Sequence, residues 1–391
     1  MAMKHLLFLI SLSAALFGCT QMDTIEFIEY EILKSETADF SALNKFDPMM
    51  ERFEGLLSFA LDNNLTFRVA AIAYPTVDPN GEKVWASGLV YHPINKKSKG
   101  VIDFMPMAHL NRDGGTDEGT LYVTEGMLAL LGYTIILPDL IGSGISKEKM
   151  VPFLMVENTG RVAYDMRRAA ARYLWDQFEY RLPAETVIMG YSLGGSAALA
   201  AQKYYEAHHA HTVKVKEVYA GGGAYDLPVA FEAYAKSGIS EYPAIPHAIV
   251  AFDHYYHLQS DFSSLFTGIL LENYQTWLHS TYTADTLKQL LGTNLHAYMH
   301  EDFFKPFDQQ NQAIKNFYPF LIENSVTEGW RPKAPIHLSY AKADVIIPAA
   351  CAEAAAQKLR RAGGQVTCTG YPGDHYTVGY LYYIRAIIHF L

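Results

Sequence analysis

The chain has 391 residues, 41 acidic against 31 basic side chains and a formal net charge of -10; half of it is hydrophobic, with 27 tyrosines and 21 phenylalanines. That much apolar sequence builds a sizeable core and excludes a disordered or fibrous chain. The negative charge has no acidic run behind it and no lysine- or arginine-rich stripe appears, which excludes nucleic acid as a partner.

Lys4 and His5 precede an apolar run from Leu6 to Phe17, which stops at Leu16-Phe17-Gly18-Cys19. A charged start, a stretch too short to span a bilayer and a small residue at the break have the form of an export signal. The cysteine sets the type. Residues 1–18 resemble a bacterial lipoprotein signal, after which Cys19 is lipidated and becomes the first mature residue; ordinary secretory cleavage nearby is the alternative. Thr20, where an inner-membrane lipoprotein carries Asp, points to the outer membrane. No later run approaches transmembrane length, so the expected membrane contact is an anchor at Cys19 and not a span.

Residues 19–66 read as a linker with a helical segment. Phe67–Tyr74 and Val84–Tyr91 are β-branched and aromatic runs joined through Asp78-Pro79-Asn80-Gly81, the signature of an antiparallel hairpin. A buried strand over Val101–Met107, a helix around Leu121–Leu131, a strand over Thr134–Leu137 and a long helix over Val162–Phe178 follow. The strand Thr186–Met189 runs into a small-residue helix from Ser196, and a strand over Val215–Ala220 comes next. After Asp226 the alternation stops for roughly a hundred residues. It resumes with a strand at Ile336–Tyr340, a helix at Ala349–Ala362, a strand at Gln365–Tyr371 and a last helix from about Gly379. Strand and helix in alternation predict an α/β fold, a mostly parallel central sheet with helices on both faces. The expected organisation is a core over 67–226 and 329–391 with a helical cap inserted at 227–328.

Between the strand at 186–189 and the helix stands Gly190-Tyr191-Ser192-Leu193-Gly194, a G-x-S-x-G turn in strand-to-helix context. Such an elbow lifts a serine hydroxyl clear of the sheet, with glycines where a side chain would collide. Ser192 is the candidate nucleophile. A hydroxyl needs a histidine to take its proton and a carboxylate to hold the histidine tautomer. Asp344 follows the strand at 336–340 and His375 follows the strand at 365–371, so all three stand at carboxyl ends of parallel strands in the order serine, acid, histidine. Asp374 competes for the acid role, but its adjacency to His375 makes contact with the far imidazole nitrogen awkward. The oxyanion donors are expected at the backbone N–H of Leu193 and in the loop after 101–107, at His109 or Leu110.

Cys351 and Cys368 are the remaining cysteines, and an extracytoplasmic location permits a disulfide between them, two buried free thiols being the alternative. His208, His209 and His211 have no cluster of acidic or cysteine partners nearby in sequence and read as a solvated helix end; neither metal nor cofactor is expected.

Gly132-Tyr133-Thr134-Ile135-Ile136-Leu137-Pro138-Asp139-Leu140-Ile141-Gly142-Ser143-Gly144-Ile145-Ser146 resembles the G-Y-x-V-x-x-P-D-x-x-G-x-G-x-S segment of α/β-hydrolases. Pro152-Phe153-Leu154, Asp165-Met166-Arg167-Arg168-Ala169-Ala170, Gly221-Gly222-Gly223-Ala224-Tyr225-Asp226-Leu227 and Trp330-Arg331-Pro332 are similar to elements of the secretory-lipase-like branch. The resemblance runs from about residue 67 to the end. It implies the α/β-hydrolase fold and hydrolysis of carboxylic esters through an acyl-enzyme, with Ser192, Asp344 and His375 as the triad. Leu110 stands where many members carry glycine. Small-molecule, lipid and carbohydrate esters all remain open as substrates. Aromatics of the insertion such as Phe252, Tyr255 and Trp277 are expected to shape the acyl site. The alternatives are a serine peptidase, which would need an anchor for a peptide amine that no arrangement of the inserted acids such as Glu232, Glu241 and Glu272 singles out, and a lipoprotein that binds without catalysis.

Overall fold

The computed structural model describes residues 24–39, 65–107, 123–278, 282 and 284–391; Cys19, His109 and Leu110 lie outside them. Nine strands, β1 (Glu31–Asp39), β2 (Thr66–Val77), β3 (Lys83–Pro93), β4 (Gly100–Met105), β5 (Tyr133–Pro138), β6 (Glu185–Tyr191), β7 (Lys214–Gly221), β8 (Ile336–Ala341) and β9 (Val366–Tyr371), form one sheet in the order β1-β2-β3-β5-β4-β6-β7-β8-β9. β1, β2, β3 and β5 pair antiparallel, and from β5 to β9 every pairing is parallel. The β2–β3 hairpin closes where predicted: the Asp78 carboxylate accepts from the N–H groups of Asn80 and Glu82, each at 2.9 Å, and Gly81 takes φ +82°. β1 lies within the segment read as linker and helix. It is an edge strand, and its outward alternation of charge gave no apolar period to read.

The helices are α1 (Val123–Leu130), α2 (Val156–Phe178), α3 (Leu193–His208), then α4 (Leu227–Ser237), α5 (Ala244–Tyr256), α6 (Gly268–Trp277), α7 (Ala284–Leu291), α8 (Gln312–Lys315) and α9 (Tyr318–Glu323) between β7 and β8, and finally α10 (Ala349–Arg361) and α11 (His375–Phe390). α1 and α11 cover one face of the sheet, with Met127, Leu128, Val378, Tyr382 and Phe390 in its core. α2, α3 and α10 cover the other. Helices on both faces bury the apolar runs of the parallel strands, which is the α/β-hydrolase arrangement the sequence predicts. On the second face Arg167 donates to both oxygens of Asp103, at 2.8 and 3.1 Å, and both side chains are 1 % exposed.

The segment between β7 and β8 has its own apolar core, with Phe231, Ile249, Phe252, Phe266 and Leu321 at its centre. Its two ends meet. Asp226 caps α4 and accepts from Thr327, while the Leu227 N–H donates to Ser325 Oγ.

Two expectations are corrected. Cys351 and Cys368 are free thiols: Cys351 faces the core of the inserted segment, whereas Cys368, on β9, packs into the core between the sheet and α10 and lies 3.7 Å from the Ala352 carbonyl oxygen. Burial pushes the Cys351 thiol well up, away from reactivity. The last helix begins at His375 and not near Gly379, because the Asp374 side chain caps it by accepting from the Thr377 N–H at 2.8 Å.

Candidate active site

β6 ends at Tyr191 and α3 begins at Leu193, so Ser192 alone makes the turn, at φ 58° and ψ -124°. That backbone region is sparsely populated for a residue with a side chain, and the neighbours hold it there. The Ser192 N–H donates to Gly221 O and the Ser192 carbonyl accepts from Gly195 N–H, each at 2.9 Å. The glycines are sterically required. A Cβ on Gly190 would stand 2.3 Å from Gly194 O, and one on Gly194 would stand 2.4 Å from Met105 O.

The three chain ends converge. His375 Nε2 lies 2.9 Å from Ser192 Oγ, and His375 Nδ1 lies 2.6 Å from Asp344 Oδ2. The Asp344 side chain is 1 % exposed, and its other oxygen, Oδ1, accepts from the N–H groups of Ile346 and Ile347, both at 2.8 Å. The carboxylate is thus oriented before the histidine meets it. Asp374 is exposed and committed to the α11 cap, and the bond from Thr377 holds its carboxyl below the usual range. Leu193 is the first residue of α3, where helix N–H groups lack intrahelical partners.

Two tyrosines not singled out from sequence brace this geometry. Tyr191 Oη donates to the His375 carbonyl at 2.7 Å. Tyr382 Oη accepts from Gly190 N–H at 2.8 Å and donates to Tyr219 O at 2.9 Å, bridging β6 and β7 directly beneath the elbow. Tyr382 falls two turns after His375 on α11, a spacing that carries meaning only once the helix start is known.

A cavity of about 280 Å³ opens at Ser192 and His375. Its walls are mostly apolar: Leu193 from the elbow, Phe231 and Tyr234 from α4, Ile245 and Ala248 from α5, and Ile346 and Ile347 from the acid loop. Phe252, Tyr255 and Trp277 do not line it; they are buried in the core of the inserted segment, Tyr255 donating to Met150 O at 2.6 Å. Helical periodicity cannot say which of several buried faces looks onto a cavity and which onto a neighbouring helix. Of the three acids considered as amine anchors, Glu241 alone lines the cavity, and Lys288 Nζ holds its carboxylate at 2.6 Å. Away from the site, His209 stacks on Tyr164 at 3.5 Å and His208 Nε2 lies 3.4 Å from Glu157. Among the described residues no three His, Cys, Asp or Glu side chains gather as a metal site, and no helix is long and apolar enough to cross a membrane.

The model of the secretory lipase family matches residues 120–374, well over half of the chain. The chain belongs to the secretory lipase family. It is therefore a carboxylic-ester hydrolase on the α/β-hydrolase fold. Among solved structures it is similar to the rice cell wall degrading esterase LipA of Xanthomonas oryzae (TM-score 0.74, 20 % identity, 93 % of this chain and 96 % of that one). It is similar to a provisionally assigned hydrolase of Legionella pneumophila (TM-score 0.76, 19 % identity, 93 % and 97 %). Lipase A of Candida antarctica is a more distant likeness (TM-score 0.59, 15 % identity, 90 % and 78 %). At these identities the structures speak for the fold. Comparison with curated protein sequences finds no match.

Proposed function

We propose that this ester hydrolase works through Ser192, His375 and Asp344 by way of an acyl-enzyme. The supporting observation is the unbroken chain of contacts from Asp344 through His375 to Ser192 at the floor of an apolar cavity. His375 Nε2 takes the proton as Ser192 Oγ attacks the carbonyl carbon, and returns it to the departing alcohol oxygen as the C–O bond breaks. Water then repeats the sequence against the acyl-enzyme and frees the acid. Asp344 holds the Nδ1–H tautomer and stabilises the imidazolium. The Leu193 N–H, at the positive end of α3, is one oxyanion donor, and His109 or Leu110 supplies the other from the loop after β4. The apolar walls suit an ester with a hydrocarbon part, and the likeness to a cell wall degrading esterase keeps carbohydrate esters beside lipid esters as substrates.

A fluorophosphonate should label a single peptide containing Ser192. Ser192→Ala should keep the fold and lower ester turnover by several orders of magnitude; near-native turnover in that variant refutes the mechanism. In the same reading residues 1–18 are removed and Cys19 tethers an extracytoplasmic enzyme to the bacterial outer membrane. Radiolabelled palmitate should enter the chain and be absent from Cys19→Ser, and equal labelling of the two would end the anchor.

A further inference from the structure

Resting on the hydrolase reading, we propose that Glu241 and Lys288 are specificity-determining residues that select esters whose apolar arm ends in a hydroxyl group. They form an ion pair at 2.6 Å in a cavity whose lining is otherwise mostly aliphatic and aromatic. Both residues line that cavity, and with Lys288 at 40 % and Glu241 at 28 % side-chain exposure the pair is not sealed in a core.

A clip between segments does not account for it. The stretch 238–242 is already bound to the residues after α7 through its backbone: Ile239 bridges to Asn294, Ser240 N–H donates to Thr293 O at 2.9 Å, and Leu295 N–H donates to Gly238 O at 2.9 Å. A half-exposed ion pair adds at most about 1 kcal/mol to such an attachment. What the pair does change is the chemistry of the wall. Aliphatic lining accepts only hydrocarbon, and a polar group placed against it loses its water without compensation. A carboxylate beside an ammonium offers an acceptor and a donor together, and a hydroxyl uses both at once. An ionised end fares worse, since beside this neutral pair its attraction to one member is offset by repulsion from the other 2.6 Å away, and the hydration it loses against the apolar wall goes uncompensated. Glu241 also stands beside the acid loop, its N–H directed to Val345 O at 3.4 Å, which keeps the polar spot near the triad.

The hydroxyl can sit on either side of the scissile bond, and the test separates the two. One arm compares p-nitrophenyl ω-hydroxyalkanoates with the isosteric alkanoates over graded lengths; the other compares monoacetates of α,ω-diols with acetates of the matching alkanols. In one arm, at one best length, kcat/KM for the hydroxylated ester should exceed that of its methyl-ended isostere by about tenfold or more, as expected when a site built for a hydroxyl meets an analogue lacking it. The ω-carboxylate analogue should be the poorest of the three. In Lys288→Met and Glu241→Met the ratio should fall toward one; a mere clip would alter KM for both members of each pair alike and leave the ratio standing. If Lys288→Met does not fold, as judged by thermal melting, Glu241→Met, which removes the acceptor at similar length, decides. A ratio near one at every length in the native protein, or a high ratio that survives both substitutions, overturns the proposal. Neither result touches the hydrolase reading, which fails only if no ester is cleaved or if Ser192→Ala cleaves as the native protein does.

Discussion

Asp344→Asn tests the triad most sharply, because the structure dictates how the new amide must sit. Oδ1 of Asp344 accepts from two backbone N–H groups at 2.8 Å, and Oδ2 faces His375 Nδ1 at 2.6 Å. Asparagine satisfies the two N–H groups only by keeping its oxygen toward Ile346 and Ile347, which turns its NH2 toward the imidazole. Reversing the amide leaves two N–H donors facing an NH2 group, at about 1–3 kcal/mol for each unmet donor. A bias of about 4 kcal/mol is roughly a thousandfold preference for the orientation that forces His375 into the Nε2–H tautomer. In that tautomer the nitrogen facing Ser192 Oγ has no lone pair with which to take a proton. Losing the carboxylate's stabilisation of the imidazolium adds to this, so turnover should fall by about a thousandfold to ten-thousandfold. Asp374→Asn should cost little, since asparagine caps a helix as well as aspartate does and the bond to Thr377 survives. Steady-state kinetics on a p-nitrophenyl ester, with circular dichroism to show both variants folded, reads the outcome. A larger loss in Asp374→Asn than in Asp344→Asn refutes the assignment of the acid.

Ala248→Phe should fill part of the cavity and depress the longest accepted acyl chain against the acetyl ester by tenfold to a hundredfold, roughly the discrimination a crowded hydrocarbon pocket gives; Phe252→Ala should lower stability by about 3–5 kcal/mol without moving that profile. Arg167→Leu leaves Asp103 buried and uncompensated, and denaturant unfolding should show a loss of about 3–5 kcal/mol. Burial pushes the Glu125 carboxyl from 4.5 up to about 7, so the folded protein holds a proton that the unfolded chain has released over that window. The Glu125 contribution should therefore fall as pH rises from about 4.5 to 7, against the rise contributed by His92 and His209, which burial lowers from 6.5 to about 4, so the stability Glu125→Gln gains over the native protein should grow across that window and be largest at pH 8; a difference between the two melting curves that stays constant with pH counts against it.

Local signals carried much of this protein. The hairpin was readable because Asp78-Pro79-Asn80-Gly81 closes a turn by itself, and the parallel strands because burial on both faces leaves uninterrupted apolar runs such as Thr134–Leu137 and Thr186–Met189. Ser192 stood out for the same reason, since the glycines around it answer contacts within one turn and its adjoining strands. The sequence also placed Asp344 and His375 at the carboxyl ends of their strands. β1 was not readable, as an exposed edge strand obeys pairing to β2 and not an apolar period. The start of α11 depended on whether Asp374 caps a helix or faces an imidazole, and side-chain geometry alone separates those uses. Only the tertiary structure decided that Asp344 has its free oxygen held by Ile346 and Ile347, that Tyr382 bridges the strands under the elbow, and that Cys351 and Cys368 face different cores. It likewise decided that Phe231, Tyr234 and Ala248, and not Phe252 or Trp277, look onto the cavity. Periodicity tells a residue that it is buried; what it is buried against is a matter of how separate elements pack, and that information is spread over the whole chain.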